Sequence, residues 1–133
     1  MYFDRMDMLL QILRTVDESR WTMRMWGVGN DIAPCGFAGC AMGWAAQHPY
    51  FQQLGLGLEI VGFSGQMMLF FTQDDIKHSH FDAAAECVGI SGQDAEHLFD
   101  PEAYDDVISK DELIKPKHVI ARIEDYMRQQ VAR

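Results

Sequence analysis

The stretch from Pro34 to Pro49 constrains the fold more than any other part of the chain. Its spacing predicts a helix over Cys35 to Gln47. Proline is tolerated in a first turn, where its missing N–H would have no intrahelical partner. This helix has no polar face. One stripe is Gly36, Gly39, Cys40 and Gly43, a second is Phe37, Ala41 and Trp44, and a third is Ala38, Met42 and Ala45. A helix that is apolar all round belongs inside a domain, with neighbours on several sides. Three glycines at Gly36, Gly39 and Gly43 forfeit about 2–3 kcal/mol of helix propensity. Close approach of another backbone onto the glycine stripe is the simplest compensation. His48-Pro49 ends the helix.

Other elements are expected around it. Met6, Leu9, Leu10, Leu13 and Val16 recur at helical spacing and predict a first helix over Phe3 to Val16. Asp17 to Ala33 reads as a connection anchored by Trp21 and Trp26, with Gly27, Gly29 and Asn30 breaking regular structure. Leu56, Leu58 and Ile60, then Met67 to Phe71, predict a short hairpin with its turn near Gly62 to Gly65. Two strands alone are marginal, so they must lie on the helices. From Phe81 the helical period returns through Ala84, Ala85 and Val88. Gly89 is a natural left-handed stop, and Ser91 can cap a helix that buries Ala95, Leu98 and Phe99. A last helix over Pro116 to Gln130 carries Val119, Ile120, Ile123, Tyr126 and Met127. The expected fold is therefore mainly α. It is a single domain over residues 1–133, with four or five helices around the Gly/Ala-rich central helix and one small β-hairpin. At 133 residues the chain is long enough to bury roughly two thirds of its unfolded surface without staples.

Charge narrows the function. Eleven Lys and Arg face 20 Asp and Glu, a formal net charge of −9. Nucleic-acid backbones and anionic membranes are poor partners for such a chain. No apolar run is long enough to span a bilayer. Met1 to Arg5 lacks the basic-then-apolar layout of a signal peptide. With three cysteines, an odd number, the expectation is a reduced, cytoplasmic protein. Negative charge is gathered late in the chain, where Asp94, Glu96, Asp100, Glu102, Asp105, Asp106, Asp111 and Glu112 are offset by Lys110 alone. Such a run is a solvated face or a surface for a basic partner. Asp94, Glu96, Glu102, Asp105 and Asp106 are the candidate protein-interaction residues.

Motifs with catalytic or ligand-binding chemistry are sparse. In a regular helix Cys35 and Cys40 would have Cα atoms about 8.6 Å apart, whereas a disulfide needs less than about 7 Å. They read as buried thiols, with a thiol- or metal-dependent role around Cys35, Cys40, His78 and His80 as the alternative. His78-Ser79-His80-Phe81-Asp82 spells H-x-H-x-D, which on one strand would turn both imidazoles the same way toward a metal. Ala83 follows where a two-metal site would want another histidine, so a surface loop is the better reading. Gly62-Phe63-Ser64-Gly65 does not place a glycine on each side of the serine at the offset a nucleophile elbow needs. Asp100 to Asp106 lacks the glycine of a calcium loop. No cofactor, metal or catalytic set is assigned. Ala85, Gly89-Ile90-Ser91, Ala95 and Leu98 lay out a helix-turn-helix corner. A DNA-binding role for residues 82–99 is a further alternative, but the expected exposed positions are Gln93, Asp94, Glu96 and His97, followed by Asp100, an acidic surface on balance that phosphates would repel.

Pro34-Cys35-Gly36, Cys40 and Gly43-Trp44-Ala45 form a C-G-x-x-x-C-x-x-G-W-A core. With Gly55-Leu56, Ala84-Ala85, Gly89-Ile90-Ser91 and Leu98-Phe99, this resembles a group of small bacterial and phage proteins that carry no assigned activity. Cys87 departs from the group, which more often has an aromatic residue there. The resemblance implies a compact helical domain of phage or prophage type. Taken together, the expected function is a non-enzymatic protein-interaction role, as a phage-type accessory or inhibitor protein.

Overall fold

The computed structural model describes residues 1–23, 26–28, 38–61, 66–104 and 114–132. Helix α1 spans Phe3–Leu13 and buries Met6, Leu9, Leu10, Ile12 and Leu13. It stops short of Val16, whose N–H reaches only Leu13 O. Its start is pinned to a distant helix end: Tyr2 N–H donates to Val88 O at 2.9 Å, and the Arg5 guanidinium donates to Cys87 O at 2.7 Å. Asp17 caps a short 3-10 turn at Glu18–Arg20, within the stretch expected to be irregular.

The central helix differs from expectation. Cys35, Gly36 and Phe37 lie outside the described residues. Ala38–Gly39 is a strand, β2, and helix α2 begins only at Ala41 and ends at Ala46. Cys40 is its N-cap in extended backbone, and its carbonyl takes the first helical N–H, from Trp44 at 2.9 Å. Gly39 pairs with Gly27 of β1, Gly27–Val28, and bridges Trp21. A glycine gains little from helical backbone, so partners elsewhere outweigh local periodicity. The helix that remains is buried through Ala41, Met42, Gly43, Ala45 and Ala46. Gly43 meets a neighbouring backbone: a Cβ there would stand 1.6 Å from Trp26 O. His48-Pro49 does end this helix, but it also opens another. His48 caps α3, Pro49–Leu54, which closes on Gly55 at φ 111°.

The expected hairpin is present and is part of something larger. Strand β3, Leu56–Ile60, pairs antiparallel with β4, Gln66–Gln73, in the register Leu56↔Phe71 to Ile60↔Met67. Gly57 faces Phe70, whose ring fills the place of a glycine side chain. Beyond Phe71 the strand continues and turns at Asp74 and Asp75, both left-handed at φ 53° and 64°, into β5, Ile76–Ser79. The other edge of β4 is shared end to end. β1 pairs at Gln66 and Met67, and β5 pairs from Phe70 to Gln73. The result is a five-stranded antiparallel sheet with β4 at its centre. The chain is thus a mixed α and β domain, not a mainly helical one with a small hairpin. Two-residue strands carry no periodicity to read. The exposed β5 lacks an apolar alternation, because neither of its faces is buried in the core.

The helices after the sheet follow their spacing. Helix α4, His80–Val88, ends at Gly89 with φ 74°, and Ser91 Oγ accepts Asp94 N–H to cap α5, Gly92–Phe99. Ala83, Ala84, Val88, Ala95, Leu98 and Phe99 are buried across this corner. A 3-10 turn at Pro101–Tyr104 follows. Helix α6, Pro116–Val131, buries Val119 and Ile123. It is tied to the corner by Arg122, which donates to His97 O and Ala103 O and lies 3.7 Å over the Tyr104 ring. Tyr104 itself donates to Leu98 O at 2.6 Å, and burial pushes its hydroxyl well above the usual phenol range.

Candidate functional site

The thiols offer little chemistry. Cys40 is buried, and desolvation pushes its pKa up to about 11 despite the N–H groups at the start of α2. Burial pushes Cys87 up to about 12, with Arg5 opposing. Neither carries much thiolate at neutral pH, so neither is an activated nucleophile. Cys35 lies outside the described residues.

The histidine motif is also divided by the fold. His78 sits on β5 and pairs with Phe71, whereas His80 opens α4 with φ 57°. The pair lies in neither one strand nor the surface loop expected. Among the described residues no three His, Cys, Asp or Glu side chains come together as a metal set.

The acidic residues divide as well. Asp94 is half-buried and accepts the Tyr126 hydroxyl at 2.6 Å, so it joins α5 to α6. Asp100 Oδ1 accepts Glu102 N–H at 3.0 Å and shapes the turn after α5. Glu96 and Glu102 are exposed. Asp105 and Asp106 lie outside the described residues. The helix corner presents Gln93, Glu96 and His97 to solvent.

What the sequence did not show is a cleft of about 520 Å³. Met23, Trp26, Met67, Met68 and Phe81 contribute its apolar wall, and Gln66, His80 and Asp100 its polar groups. Residues just before β1, the N-cap of α2, the central strand of the sheet, the start of α4 and the end of α5 each supply part of the lining. The Trp26 and Phe81 ring centroids are 5.0 Å apart with planes at 65°, an edge-to-face pair. The Trp26 indole N–H donates to His80 Nδ1 at 3.3 Å. His80 holds this position in left-handed backbone, which is costly for a residue with a Cβ and concentrates at sites where side-chain placement matters. No pattern within one segment could have revealed the cleft, since its residues are separated by up to 78 positions (Met23 to Pro101). The one available hint was compositional: nine methionines, three of them in this wall.

A second, wider groove of about 710 Å³ lies between α1 and α2 and includes Met8, Ile12, Arg20, Trp44 and His48. It has no comparable ring pair. Trp44 instead donates to Arg20 O at 3.2 Å.

No protein family, curated protein or solved structure matches this chain. Among the described residues no helix is long and apolar enough to cross a membrane.

Proposed function

We propose that this chain is a non-catalytic binding protein, of the phage accessory or inhibitor kind, whose partner is a basic protein. The observation that carries the reading is the Trp26–Phe81 cleft with Asp100 on its lip. Glu96, on the helix that Asp100 ends, and Glu102, on the turn that follows, are exposed. Aromatic and methionine side chains make adaptable contact surfaces, and flanking carboxylates steer a cationic partner toward them. The described thiols, raised in pKa and buried, support a binding role over thiol catalysis. A cytoplasmic setting fits the two free thiols at Cys40 and Cys87.

Affinity capture from the organism that carries the gene tests this. Wild type should recover a basic protein, and association should slow as salt rises. A Glu96→Lys, Glu102→Lys variant should lose the partner while keeping its circular dichroism spectrum. Equal recovery by that variant, or recovery of nucleic acid alone, would overturn the proposal.

A further inference from the structure

We infer that the Trp26–Phe81 cleft is a site for a quaternary ammonium group carried by a side chain of the basic partner. The inference rests on the binding reading above and goes on to name the chemistry of the contact. Four observations converge on it.

First, Trp26 and Phe81 stand at 65° to each other, so they form an angular corner and not a flat stack. Aromatic faces attract a cation through their quadrupole, and tryptophan does so most strongly. Second, Met23, Met67 and Met68 extend the wall with polarizable thioethers that donate no hydrogen bond. Third, among the described lining residues the one carboxylate is Asp100, and none is Lys or Arg. The chain as a whole carries −9, so its field draws cations toward this lip.

The fourth observation selects among cations. Among the described lining side chains, Gln66, His80 and Asp100 alone carry oxygen or nitrogen acceptors. Asp100 Oδ1 already accepts Glu102 N–H, and His80 Nδ1 already accepts the Trp26 indole N–H, which leaves fewer acceptors than a guanidinium has donors. A primary ammonium brings three donors and a guanidinium five, each of which needs an acceptor once buried. A quaternary ammonium brings none. Its methyl envelope matches rings and thioethers, and its charge is met by one carboxylate. The protein source follows from the exposed Glu96 and Glu102, on the helix and the turn that flank Asp100 in the chain, which suit further positive charge along a partner.

Calorimetry and the indole N–H resonance of Trp26 provide the test, at matched ionic strength. Four probes are titrated: choline, its uncharged isostere 3,3-dimethylbutan-1-ol, and a lysine-rich peptide with or without one trimethylated lysine. The trimethylated peptide should bind at least as tightly as choline, and choline about fivefold or more tighter than the isostere. Phe81→Leu and Asp100→Asn should each weaken the cations by about threefold or more and leave the isostere unchanged. The asparagine keeps an Oδ1 acceptor for Glu102 N–H, so a folding defect in Phe81→Leu does not remove the test. Equal binding of choline and isostere would overturn the inference. So would the absence of a saturable shift with any cation, or binding of choline without binding of the trimethylated peptide. If no cation binds while the basic partner is still captured through Glu96 and Glu102, the cleft assignment fails and the binding reading stands. Cation binding without any captured protein has the reverse meaning.

Discussion

Substituting Gly43 with alanine sets two effects against each other, and the geometry decides between them. Alanine in a helix interior gains about 1 kcal/mol over glycine from propensity alone. Against this, the new Cβ would stand 1.6 Å from Trp26 O and 2.8 Å from Trp26 C. Both are backbone atoms, so no side chain can rotate away. Relief requires Trp26 to move by well over an ångström, and Trp26 is bonded to Gly27, which pairs with both Gly39 and Met67. Overpacking in a core costs about 1–3 kcal/mol. Displacement would also weaken the Trp26–His80 hydrogen bond, worth about 1 kcal/mol, and the Trp26–Phe81 ring contact, worth about 0.5–1.5 kcal/mol. Gly43→Ala should therefore destabilise by about 2 kcal/mol or more, and Gly43→Leu by more still. Gly92→Ala is the control. It opens α5, and the nearest atom to its Cβ is Asp82 Oδ1 at 3.8 Å. That change should be neutral or stabilise by about 0.5 kcal/mol through the unfolded state. Urea unfolding followed by circular dichroism measures both. A Gly43→Ala midpoint at or above wild type would refute the packing argument.

Three further outcomes are expected. Asp75→Gly should stabilise by up to about 1 kcal/mol, because Asp74 and Asp75 both occupy left-handed backbone in a two-residue hairpin turn; a lower thermal midpoint would contradict it. In native protein at pH 8, Cys40 and Cys87 should resist alkylation until the chain unfolds, since burial raises both; peptide-resolved mass spectrometry reads each thiol separately. His118 Nδ1 accepts Lys115 N–H at 2.9 Å, and desolvation, helped by Lys117, lowers its pKa. The folded state then binds a proton less readily than the unfolded chain, so this contribution is present above about pH 6.5 and is lost as pH falls below it. His118→Gln keeps an acceptor at the same helical position without titrating, and should flatten that part of the stability–pH curve.

Much of the helical half was legible because burial and periodicity coincide there. Met6, Leu9 and Leu13 lie on one face of α1, and Val119 and Ile123 on one face of α6, so a simple stripe marks each. Gly89 and Ser91 announce the corner through backbone demands that few other residues meet. The close approach at Gly43 was also readable, as a glycine that its helix would otherwise disfavour. What could not be read are features made by distant partners. Gly39 looks like one member of a helical stripe until Gly27 and Trp21 are seen beside it. Ile76 to Ser79 looks like a polar loop until β4 supplies its ladder. The cleft is the extreme case, since no two of its aromatic and acidic groups (Trp26, Phe81 and Asp100) come from the same element.

The shared edge of β4 has a consequence for the order of assembly. Strands β3, β4 and β5 follow one another in sequence, so each pairs with its neighbour across a short loop. The pairing of Gly27 with Met67 instead joins residues about forty positions apart, and closing so long a segment has an entropic cost that adjacent strands avoid. The meander should condense first and β1 should dock onto it afterwards. Translation runs the other way, because β1 leaves the ribosome well before β4. Trp26 therefore waits for a sheet edge that has not yet been made. Its position beside Phe81 and Asp100 is completed only after the end of α5 has emerged, so a nascent chain acquires its aromatic corner as one of its last acts of folding.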